Sequence, residues 1–350
     1  MTAGRGSTAR RRGALLLNLG SPASATPRAV RRYLREFLGD PRVLDLPAVS
    51  RRLLLELTIL PFRPRASAAA YAKIWTPQGS PLVMHGRALR DALAKELGEG
   101  WAVELAMRYG EPTIGAALDR LASADALPIA VVPLFPQYAA ASTGSALEAV
   151  YRAAGRRWNV PPLEVLPSFP DDPGFVAAQA AVASEHAEAA RADHWLISFH
   201  GLPERQVRRS DPSGDHCLAA PGCCDALGAA NRFCYRAQCF ATARALAAAL
   251  GLADGRWTLS FQSRLGRTPW LRPYTDEVLG ELAGRGIRRL AVVCPSFVAD
   301  CLETLEEIGI RARAQWRALG GEALLAVPCV NAHPLWVATL ARWLERARPG

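Results

Sequence analysis

Short apolar runs recur along the chain, and stretches rich in Ala, Leu and Arg with helical spacing lie between them. The runs read ALLLNLG, WAVELAMRYG, PIAVVPLFPQY, PLEVLPSF, HWLISFHG, WTLSFQSR, RRLAVVCPSF and EALLAVPCVN. Runs without an alternating polar face are typical of strands that are buried on both sides of a sheet. Their alternation with helical stretches predicts an α/β fold in which helices cover both faces of parallel sheets.

Eight such strands fit either one closed barrel or two open sheets of four strands. The first connection favours two sheets, because about 85 residues separate LLLNLG from VELAMRY, far more than one crossover helix needs. A weak repeat between IAVVPLFPQ and LAVVCPSFV also indicates two similar halves. Both architectures place a ligand at the carboxyl ends of the strands, so the residues that directly follow the runs are the candidates for chemistry.

The predicted organisation has four parts along the chain. A basic tail covers residues 1–12, and a first α/β lobe covers residues 13–165. A second lobe covers residues 166–330 and contains a cysteine-rich insertion at residues 211–239. The last segment, residues 331–350, has the pattern of a helix that is free to pack back on the first lobe.

Composition narrows the class of protein. The net charge is +10, but half of the residues are hydrophobic, so the chain is not a disordered basic tail. A basic surface suits nucleic acid, an anionic membrane or an acidic small molecule. The sequence contains no nucleic-acid-binding motif, no phosphate-binding loop and no GxSxG nucleophile motif. No run has the length of a signal-peptide core or of a transmembrane helix, so we expect a cytoplasmic protein in a reducing compartment.

Two groups of polar side chains follow predicted strands. His200 ends HWLISFHGLP, where a histidine is suited to act as a base, as a metal ligand or only as a partner of the loop backbone. In VADCLETLEEIG, Asp300, Glu303 and Glu307 would share one face of an α-helix. Three carboxylates on one face suit a divalent cation or proton transfer, but Asp300 and Glu303 also have the spacing of a helix capping box.

Seven segments resemble, in order, the successive motifs of the ferrochelatase family, which inserts ferrous iron into a porphyrin to make haem. The segments are LLLNLGSP, YAKIWTPQGSPL, AMRYGEP, PLFPQYAAASTGSAL, ISFHGLP, SFQSRLGRTPWLRPYTDE and SFVADCLETLEEI. They extend from Leu15 to Ile308. The resemblance implies two Rossmann-like lobes of the chelatase type, with parallel four-stranded sheets flanked by helices and the active site in the cleft between the lobes. The implied activity is that of a lyase that inserts Fe2+, its substrate, into protoporphyrin IX or coproporphyrin III and releases two protons.

The resemblance also implies roles for individual residues. It assigns catalysis and binding of the Fe2+ substrate to His200 and Glu303, and an acidic relay to Asp300 and Glu307. The porphyrin-binding positions that it implies are Leu19, Tyr71, Ser80, Arg108, Tyr109, Trp270 and Phe297, and Arg63 and Arg65 match a basic lip. The chain departs from many family members at Cys301, where they carry a histidine.

Five of the eight cysteines lie in HCLAAPGCCDALGAANRFCYRAQC, just after the catalytic histidine motif, where some bacterial ferrochelatases carry a cysteine-rich segment. The five are Cys217, Cys223, Cys224, Cys234 and Cys239. In a reducing compartment such a cluster indicates metal binding or redox chemistry, and four thiolates hold either a 2Fe-2S cluster or Zn2+. The spacing lacks the paired CxxC of common zinc sites, which favours 2Fe-2S. We expect four of the five to be ligands, with Cys217, Cys234 and Cys239 joined by one of the adjacent pair, and free thiols remain an alternative.

Other interpretations stay open at the level of sequence. A cobalt chelatase of a related tetrapyrrole pathway would share the fold and the histidine, and a non-catalytic iron-sulfur or haem-binding sensor would use the cysteine segment alone. The basic, apolar stretch at residues 51–66 suits peripheral membrane contact as well as it suits helix packing. We expect no nucleic-acid partner, and the protein is either a monomer or a homodimer.

Overall fold

The computed structural model of the chain describes residues 11–186, 191–266 and 268–346. All eight predicted strands form. They are β1 (Arg12–Gly20), β2 (Trp101–Tyr109), β3 (Ile129–Pro133), β4 (Leu163–Val165), β5 (His194–His200), β6 (Trp257–Gln262), β7 (Arg289–Val293) and β8 (Ala323–Ala326). Of the predicted basic tail, residues 1–10 lie outside the described residues, and Arg12 already belongs to β1. Residues 347–350 of the last segment also lie outside them.

The strands form two parallel sheets of four with the same strand order. The first sheet has the order β2-β1-β3-β4 and the second has the order β6-β5-β7-β8. In each sheet the first strand pairs on both sides, with β2 and β3 around β1 and with β6 and β7 around β5. The predicted fold class of two parallel four-stranded sheets is confirmed. Since the strand order reverses beside β1 and beside β5, the carboxyl ends of these two strands are the expected places for a ligand.

The central strands are apolar on both faces because helices cover both faces. Ala14, Leu15, Leu16 and Leu17 of β1 are fully buried. Ala14 and Leu16 face one hydrophobic cluster, and Leu15 and Leu17 face another on the opposite side of the sheet. A strand with a polar face would leave unpaired groups under those helices, which is why the run shows no alternation.

Twelve α-helices lie within the described ranges. They are α1 (Pro27–Gly39), α2 (Ala48–Leu53), α3 (Leu60–Ala72), α4 (Pro81–Leu97), α5 (Ile114–Ser123), α6 (Ser145–Gly155), α7 (Pro173–Ser184), α8 (Glu204–Arg209), α9 (Tyr235–Ala249), α10 (Thr275–Gly284), α11 (Arg313–Ala318) and α12 (Pro334–Arg346). Three further segments are π-helices, at Leu54–Ile59, Ala140–Gly144 and Glu303–Ala312. No helix in the described part of the chain is both long and apolar enough to cross a bilayer.

The long connection between β1 and β2 contains α1 to α4. Three buried tyrosines pack together there, Tyr33 from α1, Tyr71 from α3 and Tyr109 at the carboxyl end of β2. Leu302, from the second lobe, packs against the same cluster. The inserted helices therefore build a wall over the carboxyl edge of the first sheet, and the second lobe contacts that wall.

The two lobes share one continuous core. The largest hydrophobic cluster contains Leu16 of β1 as well as Ile197 of β5. Helix α12 packs against α4 of the first lobe and against α7, and Trp336 of α12 lies among the aromatic rings of Phe169 and Phe175. Because the lobes are joined by buried apolar packing, the cleft between them has firmly placed walls.

Candidate active site

His200 lies at the carboxyl end of β5, the central strand of the second sheet, and is half-buried. Its Nδ1 is 2.6 Å from the carbonyl oxygen of Gly201. A carbonyl oxygen only accepts, so Nδ1 carries a proton, and in the neutral tautomer the lone pair is on Nε2. Nε2 is therefore the ring nitrogen that is available to act as a base.

The backbone of His200 is fixed by a residue from the cysteine-rich region. The Tyr235 hydroxyl donates to the His200 carbonyl oxygen at 2.8 Å and lies 2.9 Å from Ser296 Oγ. The His200 N–H in turn donates to Ser296 Oγ at 3.3 Å. Both backbone groups of the histidine are thus held by side chains of other elements.

Aromatic side chains flank His200. The Phe297 ring lies 6.2 Å from the imidazole and nearly perpendicular to it. Trp270 lies against Gly201, where an added Cβ would be 3.3 Å from Trp270 Cε3 and only 2.8 Å from the carbonyl oxygen of Gln262. Glycine is therefore needed at position 201 for the indole and the neighbouring strand to approach. The resemblance implies porphyrin-binding roles for Trp270 and Phe297, and the structure places both beside the His200–Gly201 segment.

The acidic segment differs from the predicted α-helix. Residues 303–312 form a π-helix, and Asp300 precedes it. The Asp300 carboxylate accepts from Thr304 Oγ1 at 2.9 Å, from Asn331 Nδ2 at 2.7 Å and from the Cys329 N–H at 3.3 Å. The Asp300 N–H donates to Asn331 Oδ1, so the predicted capping box with Glu303 does not form either. The expectation that three carboxylates share one α-helical face is wrong, because these contacts turn Asp300 into the protein.

Glu307 is held by two hydrogen bonds from Ser263, the residue that directly follows β6. Its carboxylate accepts from the Ser263 N–H at 2.9 Å and from the Ser263 hydroxyl at 2.5 Å. Ser263 has a φ of 67°, a strained conformation for serine that aims both donors at one carboxylate. Gln262, the register partner of His200, donates through Nε2 to the Glu303 carbonyl oxygen at 3.0 Å. Gln262 thus ties the π-helix to the strand end that carries the histidine.

Glu303 is half-buried and lies between the lobes. Burial holds the pKa of the first-lobe Tyr71 hydroxyl well above its usual range, and the nearby Glu303 charge raises it further. Burial likewise raises the pKa of the Cys301 thiol, again with a contribution from Glu303. Both neighbours therefore stay protonated.

The predicted first-lobe residues divide into two groups. Leu19 is half-buried at the end of β1, Ser80 is buried at the start of α4, and Tyr71 is buried beside Glu303. Arg108 and Tyr109 instead turn to a buried carboxylate that the sequence did not single out. Asp40 Oδ2 accepts from Arg108 Nη2 at 2.7 Å and from the Tyr109 hydroxyl at 2.9 Å. In this structure the polar ends of that pair face the first lobe.

Asp40 stays ionised although its side chain is almost fully buried. Burial opposes the charged form, but hydrogen bonds from Ser145, the Arg42 N–H and Tyr109, together with the Arg108 charge, outweigh it and lower the pKa of Asp40. No motif in the sequence indicates this role. Its only signal is an acidic residue directly after an amphipathic helix.

Arg63 and Arg65 lie on the outside of α3 and are exposed. The same surface exposes large apolar side chains, namely Val49, Leu53, Leu57 and Phe62. We call the segment from 48 to 65 the lip. Its combination of arginines with exposed apolar groups is typical of a surface that meets an apolar partner with negative charge.

The cysteine-rich insertion buries most of its thiols. Cys217, Cys224, Cys234 and Cys239 are at most 5% exposed, Cys223 is half-buried, and all eight cysteines of the chain are free. The carboxylate of Asp211 accepts the N–H groups of His216 and Cys217, at 2.8 and 2.7 Å, and thereby shapes the start of the loop.

Four of the thiols are mutual neighbours. Cys223 Sγ lies 3.7 Å from Cys224 Sγ, and the thiols of Cys217 and Cys224 each hydrogen-bond with that of Cys234. The Cys239 thiol bonds instead with the Tyr235 hydroxyl. Neighbouring, buried thiols are suitable donors for iron or zinc. Within the described ranges, however, no three His, Cys, Asp or Glu side chains are already gathered around one point for a single ion.

A positive charge stands next to these thiols. Arg236 Nη1 donates to Cys224 Sγ at 3.0 Å. The pKa of the Cys224 thiol is raised, first by its contact with Cys234 and then by burial, while the Arg236 charge acts in the opposite direction. Loss of the thiol protons therefore requires additional positive charge, which a bound metal would supply.

A cavity of about 760 Å³ lies between the lobes, away from His200. Its lining includes Asp45 and Tyr138 of the first lobe and Gln206 and Phe233 of the second. None of the predicted porphyrin-binding residues lines it. In this cavity the carboxylates of Asp45 and Glu148 are already paired with arginines. We therefore place the candidate active site at His200 and Glu303.

Comparison with known proteins tests the family. The sequence model of the ferrochelatase family matches residues 11–348. The ferrochelatase of Coxiella burnetii (strain Dugway 5J108-111) is 46% identical over 335 residues, which cover 96% of this chain and 93% of that protein. The ferrochelatase of Ectopseudomonas mendocina (strain ymp) is 50% identical over 334 residues, which cover 95% and 97%. Among solved structures, SirB from Bacillus subtilis with Fe3+ matches with a TM-score of 0.47 and 14% identity over 96% of this chain and 95% of that one.

The matches confirm the resemblance seen in the seven motifs, and they do not favour a cobalt chelatase or a non-catalytic sensor. The sequence identity covers nearly the full length of this chain and of each relative, so the similarity extends well beyond the seven motifs. The chain belongs to the ferrochelatase family, the lyases that insert ferrous iron into a porphyrin.

Proposed function

We propose that His200 and Glu303 carry out the insertion, with the porphyrin held between them and the first-lobe wall at Leu19 and Tyr71. Insertion requires two pyrrole N–H protons to leave while Fe2+ takes up the nitrogen lone pairs. The bond between His200 Nδ1 and the Gly201 carbonyl oxygen, which leaves Nε2 as the nitrogen available to take a proton, is the observation that carries the assignment.

In this proposal Glu303 and Glu307 serve the metal side of the reaction. Glu303 lies close enough to Tyr71 of the first-lobe wall for its charge to act on that residue, and Glu307 is held in place by Ser263. Asp300, which accepts three hydrogen bonds, anchors the start of the π-helix. Carboxylates suit transient binding of Fe2+, because they are negatively charged but bind it less tightly than thiolates do.

The aromatic side chains around His200 contact the porphyrin ring in this proposal. A planar porphyrin must bend before its nitrogen lone pairs become accessible. Trp270 and Phe297 are packed beside His200, so contacts with such rings can favour a bent macrocycle while remote parts of the substrate supply the binding energy. The arginines of the lip suit the porphyrin carboxylates.

Replacement of His200 tests the proposal. We expect His200→Ala to lower the turnover of Zn2+ or Fe2+ insertion by about 10²-fold or more, the usual contribution of a positioned base. Porphyrin affinity, measured by fluorescence quenching, should remain within about twofold because the aromatic walls stay. His333→Ala is the matched control, since His333 pairs with Glu185 far along the chain. Near-normal turnover of His200→Ala would refute the assignment.

We also propose that the insertion holds a 2Fe-2S cluster through Cys217, Cys223, Cys224 and Cys234. Spacing alone favoured Cys239 over one of the adjacent pair. The observed contacts favour the other set, because these four thiols neighbour one another while the Cys239 thiol turns to Tyr235. When bound, a cluster of this kind supplies positive charge that stabilises four thiolates. Zn2+ is the alternative occupant.

Single cysteine variants test the ligand set. We expect serine at 217, 223, 224 or 234 to abolish the visible absorption, iron and acid-labile sulfide of the purified protein. Cys239→Ser is the matched control and should keep all three. Loss of colour in Cys239→Ser with retention in Cys223→Ser would restore the set favoured by spacing. Colourless wild-type protein with stoichiometric zinc would show that the site holds Zn2+ instead of a cluster.

We further propose a cytoplasmic protein whose lip touches a membrane surface from one side. The exposed Leu57 and Phe62 beside Arg63 support this contact. Sedimentation with anionic vesicles, compared with neutral vesicles of the same size, measures it.

A further inference from the structure

Tyr235 stands between the cysteine-rich insertion and the catalytic histidine. It directly follows Cys234, which caps the start of α9, and its side chain is 6% exposed. Its hydroxyl donates to the His200 carbonyl oxygen at 2.8 Å. The first residue of a helix that begins at a proposed cluster ligand therefore reaches the active-site strand end.

A second contact strengthens this link. Ser296 Oγ lies 2.9 Å from the Tyr235 hydroxyl and accepts the His200 N–H at 3.3 Å. Tyr235 and Ser296 thus occupy both the carbonyl and the amide of one residue. Ser296 also directly precedes Phe297, whose ring flanks the imidazole.

The hydroxyl has a precise donor role. The His200 carbonyl oxygen can only accept, so the Tyr235 hydroxyl supplies the hydrogen of this 2.8 Å bond. The imidazole is held by the carbonyl of Gly201, the next residue, so a shift of the His200 backbone moves the acceptor that fixes Nδ1. Loss of the Tyr235 hydrogen bond would therefore change the orientation of the imidazole and of its Nε2.

The start of α9 depends on the insertion. Cys234, the N-cap residue directly before α9, makes no side-chain hydrogen bond to the helix, and its thiol is bonded to those of Cys217 and Cys224. The connection from Ser210 to Cys234 contains no long helix or strand that would hold it otherwise. Whatever holds the four thiols together consequently also holds the backbone of Cys234 and Tyr235.

We propose that Tyr235 is a positioning residue for metal insertion, and that it makes an ordered cysteine-rich insertion a condition for correct placement of His200. The inference deepens the proposed function and rests on the assignment of His200 as the base. It gives the cysteine site a structural effect on the reaction that requires no thiol at the reacting atoms.

Tyr235→Phe tests the positioning role, because it removes one hydroxyl and keeps the buried ring. We expect kcat for Zn2+ insertion into protoporphyrin to fall about tenfold, with porphyrin affinity within about twofold. Hydrogen exchange of the amides at 200 and 201 should become faster in the same variant. Tyr151→Phe, at an exposed tyrosine on α6, is the matched control and should change neither.

A double variant tests the link to the cysteines. Cys234→Ser should lower kcat and speed exchange at 200 and 201, and adding it to Tyr235→Phe should lower kcat little further, because both changes break the same connection. Multiplied effects in the double variant would overturn the link. Unchanged kcat and unchanged exchange in Tyr235→Phe would overturn the positioning role.

The outcomes separate this inference from the proposals on which it rests. Normal turnover of His200→Ala refutes the base assignment whatever Tyr235 does. Wild-type protein that lacks iron-sulfur and zinc refutes the cofactor, while the exchange measurement on Tyr235→Phe still decides whether the hydroxyl places His200.

Discussion

Asp40 shows how one carboxylate organises several buried groups. It accepts hydrogen bonds from the Tyr109 hydroxyl and from Ser145 Oγ at 2.5 Å, and it forms an ion pair with Arg108. Tyr109 and Ser145 are fully buried, so each would lose its partner without access to water. Leaving a buried polar group unpaired costs more folding free energy than its hydrogen bond contributed, so the fold is sensitive to loss of the Asp40 carboxylate.

Replacing Asp40 should therefore destabilise the protein. We expect Asp40→Ala to lower the free energy of unfolding by at least about 1–3 kcal/mol, the cost of leaving one buried polar group unpaired. Urea denaturation followed by circular dichroism measures the change. Asp171→Ala, at an exposed aspartate before α7, is the control and should stay within about 0.5 kcal/mol.

The pH dependence of this effect has a definite sign. Because the pKa of Asp40 is lowered in the folded protein, its charge stabilises the fold fully above the unfolded pKa, about 3.9. The contribution is lost as pH falls below that value through the folded pKa. The stability difference between wild type and Asp40→Ala should shrink below about pH 4; a difference that stays constant there would contradict the charged state.

At the scale of elements, the π-helix Glu303–Ala312 decides which carboxylates face the cleft. A π-helix has a wider turn than an α-helix, and such segments are frequent at functional sites. Glu306, between the two site residues, is 2% exposed. Its Oε1 pairs with Lys73 Nζ at 3.0 Å and its Oε2 with Arg311 Nε at 2.7 Å. Lys73 ends α3, so this pair attaches the π-helix to the first-lobe wall.

Breaking this attachment tests its contribution. We expect Lys73→Met to destabilise the protein by about 1–3 kcal/mol, between the values for exposed and buried ion pairs, since half of the lysine is exposed and Arg311 remains. Adding Glu306→Gln should recover part of the loss, because it removes the uncompensated buried charge. Thermal denaturation measures both.

Lys95, the other lysine of the chain, supplies the control. It is exposed in the last turn of α4, and Lys95→Met should leave the midpoint unchanged. Equal stability of Lys73→Met and wild type would show that Arg311 alone balances Glu306.

At the scale of the whole molecule, two sheets with one strand order bring the two halves of the site together. His200 and the π-helix both follow strands of the second sheet, whereas Tyr71 and Lys73 belong to helices inserted between β1 and β2. The long first connection, unusual for a crossover, is what carries the first-lobe wall to the second lobe. The shared core and α12 then fix the distance between the walls.

The sequence by itself determined the parts that depend on local pattern. Buried parallel strands require apolar side chains on both faces, so all eight strands were visible as runs, and the gap after β1 indicated two sheets. The motif segments placed His200 at a strand end and Trp270 and Phe297 in the segments after later strands, and the structure brings the three together. Residues that follow strands are exposed to the cleft by topology alone, and that is why they were predictable.

Only the tertiary structure decided the contacts between distant segments. The π-helix, the inward turn of Asp300 and the capture of Arg108 by Asp40 depend on partners that lie far away in sequence, such as Asn331 and Ser145. Spacing likewise ranked Cys239 above one of the two adjacent cysteines, whereas the thiol contacts favour both of the pair, because a loop of this length permits many pairings. Hydrogen bonds and thiol contacts form between whichever groups the packed lobes bring within reach, and periodicity along the chain carries no information about that choice.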